Sequence, residues 1–387
     1  MIRNEGAVVQ RSRGFLRLLG LMMAFALIVS ACGDSADEGT ATTTTQATDG
    51  EETSTTSDGS DDGDSGDAEL IPVVVGNPIN SPTSFDWQIA KAAGYFEEEG
   101  LDVELVYTGG SGEAMQQLLG GNIDITTTGT TSIVEPLKEG FTDVRAVFGR
   151  VYASIFAVVV LADSDIQSAE DFAGRTIGIT ELSGGEVPVV RGMIGGAGLS
   201  EGDVELLPVG ESPALIAQAL QSGQIDGFGG SEADFIALQV QTDLDLRILQ
   251  AEPLLGIPSN SVVALQGWLD EDPDRAARLF RAMMKGYHWA VTNYDSALAI
   301  LQELNPEHYT DEAGALTLER YIQLNQPPEG VRRGEQTADQ YQRLFEFLGD
   351  VPDVDLNTIV SNEFVDFAHD FDAAEVEADA EAYLEGR

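Results

Sequence analysis

Carboxylates and hydroxyls, most of them beside short glycine runs, are the groups of this chain best suited to chemistry. They fall at five places: Ser84, Asp86 and Trp87; Gly110 and Ser111; Thr128, Gly129 and Thr130; Glu181, Ser183, Gly184 and Gly185; and Ser231 with Glu232. Such sets suit reversible recognition of a small solute. Glycine exposes backbone N–H groups, hydroxyls both donate and accept, and a carboxylate orders donors. The machinery of covalent catalysis is thin. His288, His308 and His369 fit neither a zinc-binding nor a nucleophile-elbow pattern, and Cys32 is the single cysteine. One cysteine allows no intrachain disulfide and no thiolate cluster. Neither a metal nor a cofactor is therefore expected. No arginine falls in these loops, and Arg150 is the nearest candidate for an anion clamp.

The elements that must carry these loops read as alternating strands and helices. Phe85, Ile89, Ala92, Ala93 and Phe96 recur at helical spacing, which predicts a helix over 84–96 stopped by Gly100. Val103, Leu105 and Tyr107 alternate with polar residues, a strand over 102–107. A Gly/Ser turn at 108–112 opens a helix over 113–119, and Ile123-Asp124-Ile125 reads as the next strand, followed by a loop over 126–132. This order builds a mostly parallel sheet with helices on its faces. Ser168 and Asp171 stand at capping-box spacing before a strand near 176–179.

The pattern then repeats. Gly202-Asp203-Val204-Glu205-Leu206 answers Leu101 to Leu105, and Gly223-Gln224-Ile225-Asp226 answers Gly121-Asn122-Ile123-Asp124, at offsets of 101–102. Two similar β-α-β units imply two lobes. The crossings are expected near 158–161 and 255–263, giving one lobe of 69–160 plus 260–387 and another of 161–259. Helical periodicity over 273–291, 296–304, 316–324 and 338–348 assigns the C-terminal third to closing the first lobe.

Residues 1–32 read as an export signal: Arg11, Arg13 and Arg17 precede an apolar run from Leu18 to Val29 that is short for a bilayer span. Val29-Ser30-Ala31-Cys32 resembles a bacterial lipobox, which implies lipidation at Cys32, multiply acylated as stable anchoring requires. Residues 33–68, rich in Ser, Thr, Gly, Asp and Glu, have too little apolar surface to fold and read as a disordered tether. The chain carries a net charge of −46: residues 1–32 carry +3 and 33–68 carry −11, leaving −38 for 69–387. That argues against nucleic acid as a partner, since phosphate binding needs a basic face.

Gly94-Tyr95-Phe96, Gly100-Leu101-Asp102-Val103-Glu104, Gly110-Ser111-Gly112 and Gly121-Asn122-Ile123-Asp124 stand in one order within some thirty residues, and Asp171 to Ile179 reads as a turn into a strand. In these motifs the chain resembles the substrate-binding proteins of ABC importers for nitrate, sulfonates, taurine and thiamine-type pyrimidines. The resemblance covers about 71–365. It implies an α/β, two-lobed periplasmic-binding-protein type II fold, each lobe a mixed, mostly parallel sheet flanked by helices, with a hinge between lobes. It also implies a monomeric, extracytoplasmic binding protein, not an enzyme. Its partners would be a small-molecule ligand, an ABC permease and that permease's ATPase. The membrane would be met through the lipid anchor only. A sensor lipoprotein presenting its ligand to a receptor is the alternative, and a pyrimidine-synthesis-type enzyme a remoter one. The chain departs from many relatives at Ser231-Glu232-Ala233, where an aromatic and a proline are missing.

Ligand chemistry stays open between two readings. Helix N-termini behind Ser111, Thr130 and Gly185 favour an anion. Asp86, Glu181 and Glu232, with Trp87 offering a ring face, favour a neutral or amine-bearing heterocycle if Glu232 points inward.

Overall fold

The computed structural model describes residues 70–386 except 78, 79, 183 and 311. The expected export signal, tether and lipidation at Cys32, and also Ser183, lie outside the described residues. In chain order the strands are β1 (Ile71–Asn77), β2 (Leu101–Tyr107), β3 (Ile125–Gly129), β4 (Val144–Val151), β5 (Phe156–Leu161), β6 (Thr176–Ile179), β7 (Glu205–Pro208), β8 (Gly227–Ser231), β9 (Leu246–Leu249) and β10 (Asn260–Leu265). They form two five-stranded sheets, ordered β2-β1-β3-β10-β4 and β7-β6-β8-β5-β9. In the first, β1 runs parallel to β2 and β3, and β10 is antiparallel to β3 and β4. In the second, β6 runs parallel to β7 and β8, and β5 is antiparallel to β8 and β9. One topology is thus built twice.

The repeated Ile-Asp pair shows why. Asp124 accepts the Val74 N–H at 2.7 Å while its own N–H donates to Val74 O at 2.9 Å. Asp226 does the same with Thr176, at 2.9 and 2.7 Å. The preceding isoleucine caps a glycine of the neighbouring strand: a Cβ on Gly76 would collide with Ile123, and one on Gly178 with Ile225. Each lobe therefore sets its parallel strands in register with a carboxylate clamp and an Ile-over-Gly contact.

The helices follow as α1 (Phe85–Ala92), α2 (Tyr95–Glu98), α3 (Ser111–Leu119), α4 (Val134–Lys138), α5 (Val187–Gly196), α6 (Pro213–Ser222), α7 (Glu232–Thr242), α8 (Gln266–Glu271), α9 (Pro273–Thr292), α10 (Tyr294–Leu304), α11 (Pro306–Tyr309), α12 (Glu312–Leu324) and α13 (Ala338–Leu348). Short helices Leu356–Ile359 and Val365–Ala368 and the helix Ala373–Glu385 complete the described chain. The first core gathers Val73, Val75 and Ile125 with Phe85, Trp87 and Ile89 of α1 and Phe280 and Met283 of α9.

Four expectations are corrected. The helix over 84–96 ends at Ala92, because Gly94 adopts φ +81° and starts a separate turn, α2. β3 begins at Ile125 and runs to Gly129, so 126–129 is buried strand, not loop. Its threonines satisfy themselves in the sheet, as when Thr126 Oγ1 donates to Gly76 O at 3.0 Å. β5 belongs to the second sheet, so the first crossing lies at 152–155 and residues 156–160 leave the first lobe. The C-terminal third does not close the first lobe alone: Tyr341, Leu344 and Phe345 of α13 pack in one cluster with Val189 and Met193 of α5.

Candidate ligand site

The carboxyl ends of β1, β3, β6 and β8 face a common cavity of about 190 Å³, many times the roughly 10–15 Å³ one water needs. Its first-lobe wall is made by Ser84, Gly110, Ser111, Thr127, Arg150 and Tyr321. Its second-lobe wall is made by Glu181, Gly184, Gly185, Glu186, Ser231 and Asp234, with Glu211 also contributing. Seven residues expected at a ligand therefore come together: Ser84, Gly110, Ser111, Glu181, Gly184, Gly185 and Ser231.

The others have different placements. Asp86 is fully buried, bound by Arg150 Nε at 3.1 Å and Nη2 at 2.5 Å and by Arg333 Nη2 at 2.5 Å. Two guanidiniums against one carboxylate leave this buried group at a net +1. Trp87 packs in the first core, stacked on Phe96 at 6.1 Å, with Nε1 donating to Thr127 Oγ1 at 3.0 Å. Thr128 bonds Ser132 Oγ at 2.8 Å and Ser111 O at 3.2 Å. The Gly129 N–H donates to Ser111 Oγ at 3.0 Å, and Thr130 donates to Pro258 O at 2.8 Å. Glu232 turns away from the cavity and pairs with Arg320 at 2.8 Å.

These placements identify the fold layer by layer but not yet its relatives. The family model described as NMT1/THI5 like matches residues 82–297. The chain belongs to this family. This NMT1/THI5-like chain is 26% identical over 271 residues to the formylaminopyrimidine-binding protein of Halalkalibacterium halodurans, a match covering 67% of this chain and 79% of that protein. Its fold is that of periplasmic binding proteins. The aliphatic sulphonate binding protein SsuA of Escherichia coli superposes with a TM-score of 0.59 at 16% identity, over 75% of this chain and 97% of that one. The nitrate-binding protein NrtA of Synechocystis PCC 6803 superposes with a TM-score of 0.58 at 15% identity, over 81% and 99%.

The electrostatics of the two walls differ. Burial acts to raise the Asp86 pKa, but Arg150 and Arg333 outweigh it and hold the carboxyl below its usual range. Burial pulls the Arg150 pKa down, with Asp86 offsetting part of the effect. Burial raises the Tyr321 hydroxyl far above its ordinary value, so it stays neutral. On the facing wall, burial raises the Glu186 pKa, and hydrogen bonds from Thr180 offset part of that.

Glu186, Asp234 and Tyr321 were missed by sequence reasoning. Glu186 follows Gly184-Gly185 directly, one place beyond the residues singled out. Asp234 was legible as the third helical position of a capping box on Ser231. Tyr321 lies within α12 and carried no local signal. The histidines lie elsewhere: His288 against Glu377, His308 against Glu307, and His369 at 2.8 Å from Arg333 O.

Proposed function

We propose that this chain is an extracytoplasmic solute-binding lipoprotein that captures a small organic solute between its lobes and delivers it, unchanged, to an ABC importer. The observation that carries this reading is the cavity, placed where the two repeats present the carboxyl ends of their parallel strands, the common ligand position in open α/β sheets. Ser84, Gly110, Ser111, Glu181, Ser183, Gly184, Gly185 and Ser231 are proposed to contact the solute, together with Arg150, Glu186, Asp234 and Tyr321. The H. halodurans relative, named for binding a formylaminopyrimidine, supports an amine-bearing nitrogen heterocycle as the solute class. The export signal and the anchor at Cys32 complete the reading.

The test is a thermal-shift series with formylaminopyrimidine, other pyrimidines, taurine, alkanesulfonates and nitrate, followed by mass spectrometry of the recovered solute. A bound solute at a hundredfold excess over its Kd stabilises by about 2.7 kcal/mol, several degrees in Tm. The expected result is stabilisation by a pyrimidine recovered intact. A time-dependent product would overturn the binding reading, and equal fatty-acid labelling of wild type and Cys32→Ser would overturn the anchor.

A further inference from the structure

Three helix N-termini abut the cavity loops, and the chain places a carboxylate of its own at each. At α5, Glu186 Oε1 accepts the Thr180 N–H at 2.9 Å and the Thr180 hydroxyl at 2.6 Å. At α7, Asp234 Oδ2 accepts the N–H and the hydroxyl of Ser231, each at 2.7 Å. At α3, Glu113 accepts the Gly109 N–H at 2.9 Å. A helix end offers an anion about 0.3–1 kcal/mol, which one carboxylate at close range in a dry site outweighs. At α5, where Glu186 is buried, the helix end is thus occupied from within, while Glu113 at α3 stays exposed to solvent.

Glu186 is 3% exposed and lines the cavity. Both Thr180 bonds fall on Oε1, and the residue's own N–H also bears on the carboxylate, which leaves Oε2 with acceptor capacity for a further donor from the cavity. Across the cavity the polarity is reversed. Arg150 spends Nε and Nη2 on Asp86 and on Thr83 O, and its Nη1 has no acceptor among the described residues. The Tyr321 hydroxyl, also on the cavity wall, has no partner among them either. One wall waits for donors and the other for acceptors.

We propose that the site selects dipolar solutes, with an amino or similar donor group directed to Glu186 and an acceptor directed to Arg150 and Tyr321, and that Glu186 is the specificity-determining residue against plain oxyanions. The proposal rests on the solute-binding reading. Aminopyrimidines and amino-sulfonates satisfy both poles, whereas nitrate and unsubstituted alkanesulfonates satisfy one.

Matched probes that differ by one amino group test it by calorimetry: 4-aminopyrimidine against pyrimidine, and taurine against ethanesulfonate. Wild type is expected to bind the amino member about tenfold or more tightly, the worth of one hydrogen bond to a charged group. Glu186→Gln, which turns a donor toward the cavity, should bring that ratio close to one by weakening the amino member. Thr180→Val loosens the same loop but leaves the carboxylate, and it should keep the ratio. Tyr321→Phe should weaken both members in parallel. Equal wild-type affinity within each pair overturns the proposal, as does a ratio preserved in Glu186→Gln or lost equally in Thr180→Val. The two failures separate: binding indifferent to the amino group overturns the donor preference and leaves solute capture standing, while conversion of a bound solute overturns solute capture alone.

Discussion

Asp86 illustrates how one residue's role changes when its partners come from distant sequence. Its place near the start of α1 made it a candidate contact for the ligand, yet it is fully buried between Arg150 and Arg333. Removing the charge strands two buried guanidiniums, so Asp86→Asn is expected to lose about 3–5 kcal/mol of stability, measured by urea unfolding. A loss under 1 kcal/mol would contradict the assignment. The sign with pH follows from its depressed pKa. The native state holds this carboxylate ionised where the unfolded chain would take up a proton, so its contribution is present above the ordinary carboxylate range. It is lost as pH falls through the depressed folded-state value. The acid-side loss of stability should therefore be shallower in Asp86→Asn. Nothing local in the sequence announces Arg333, which lies 247 positions away, and this is why the pair was not legible.

At the scale of elements, the part of the fold that was legible is the part the chain states twice. The Ile-Asp pairs at 123–124 and 225–226 lie 102 residues apart and meet Val74 and Thr176, also 102 apart, in the same two-bond clamp. A constant offset survives in sequence because the geometry it serves is the same in both lobes. Asp124→Ala and Asp226→Ala are each expected to cost about 1–3 kcal/mol, with the two values similar, by equilibrium unfolding. A large cost at one and none at the other would show that the repeats are not equivalent. What was not legible is strand built from threonine and glycine. Thr126 to Gly129 lacks apolar alternation, and its burial is offset by bonds to neighbouring strands and to Trp87, Ser111 and Ser132. The helix break at Gly94 is the opposite case: apolar spacing continued across it, and the left-handed φ that ends α1 leaves no trace in periodicity. At the cavity the same logic holds. Loop glycines and serines stood out, while Tyr321 comes from α12, and its approach depends on tertiary packing.

At the scale of the whole molecule, the two sheets are joined through 152–155 and 250–259, and α13 spans that junction. Gln340 donates to Gly256 O at 2.8 Å, and Tyr341 meets Ser261 at 2.7 Å, while Phe347 packs against Gly192 of α5. Outside the cavity lining, Arg320 of α12 reaches Glu232 of α7 at 2.8 Å. α12 packs in the first core through Leu318 and Tyr321, and α7 follows a strand of the second sheet, so this ion pair ties lobe to lobe beside the ligand wall. Arg320 is 41% exposed at its side chain, which limits the pair to about 0.2–1 kcal/mol after screening. Arg320→Ala and Glu232→Gln are therefore each expected to raise Kd by no more than about fivefold, with the change in the dissociation rate. Stopped-flow release of a bound pyrimidine, repeated at 0.1 and 1 M salt, reads both quantities. High salt should bring wild type toward the variants, because it screens an exposed pair. If Glu232→Gln instead lowers affinity by a hundredfold while Arg320→Ala does nothing, Glu232 touches the solute and the lobe-to-lobe pairing is wrong.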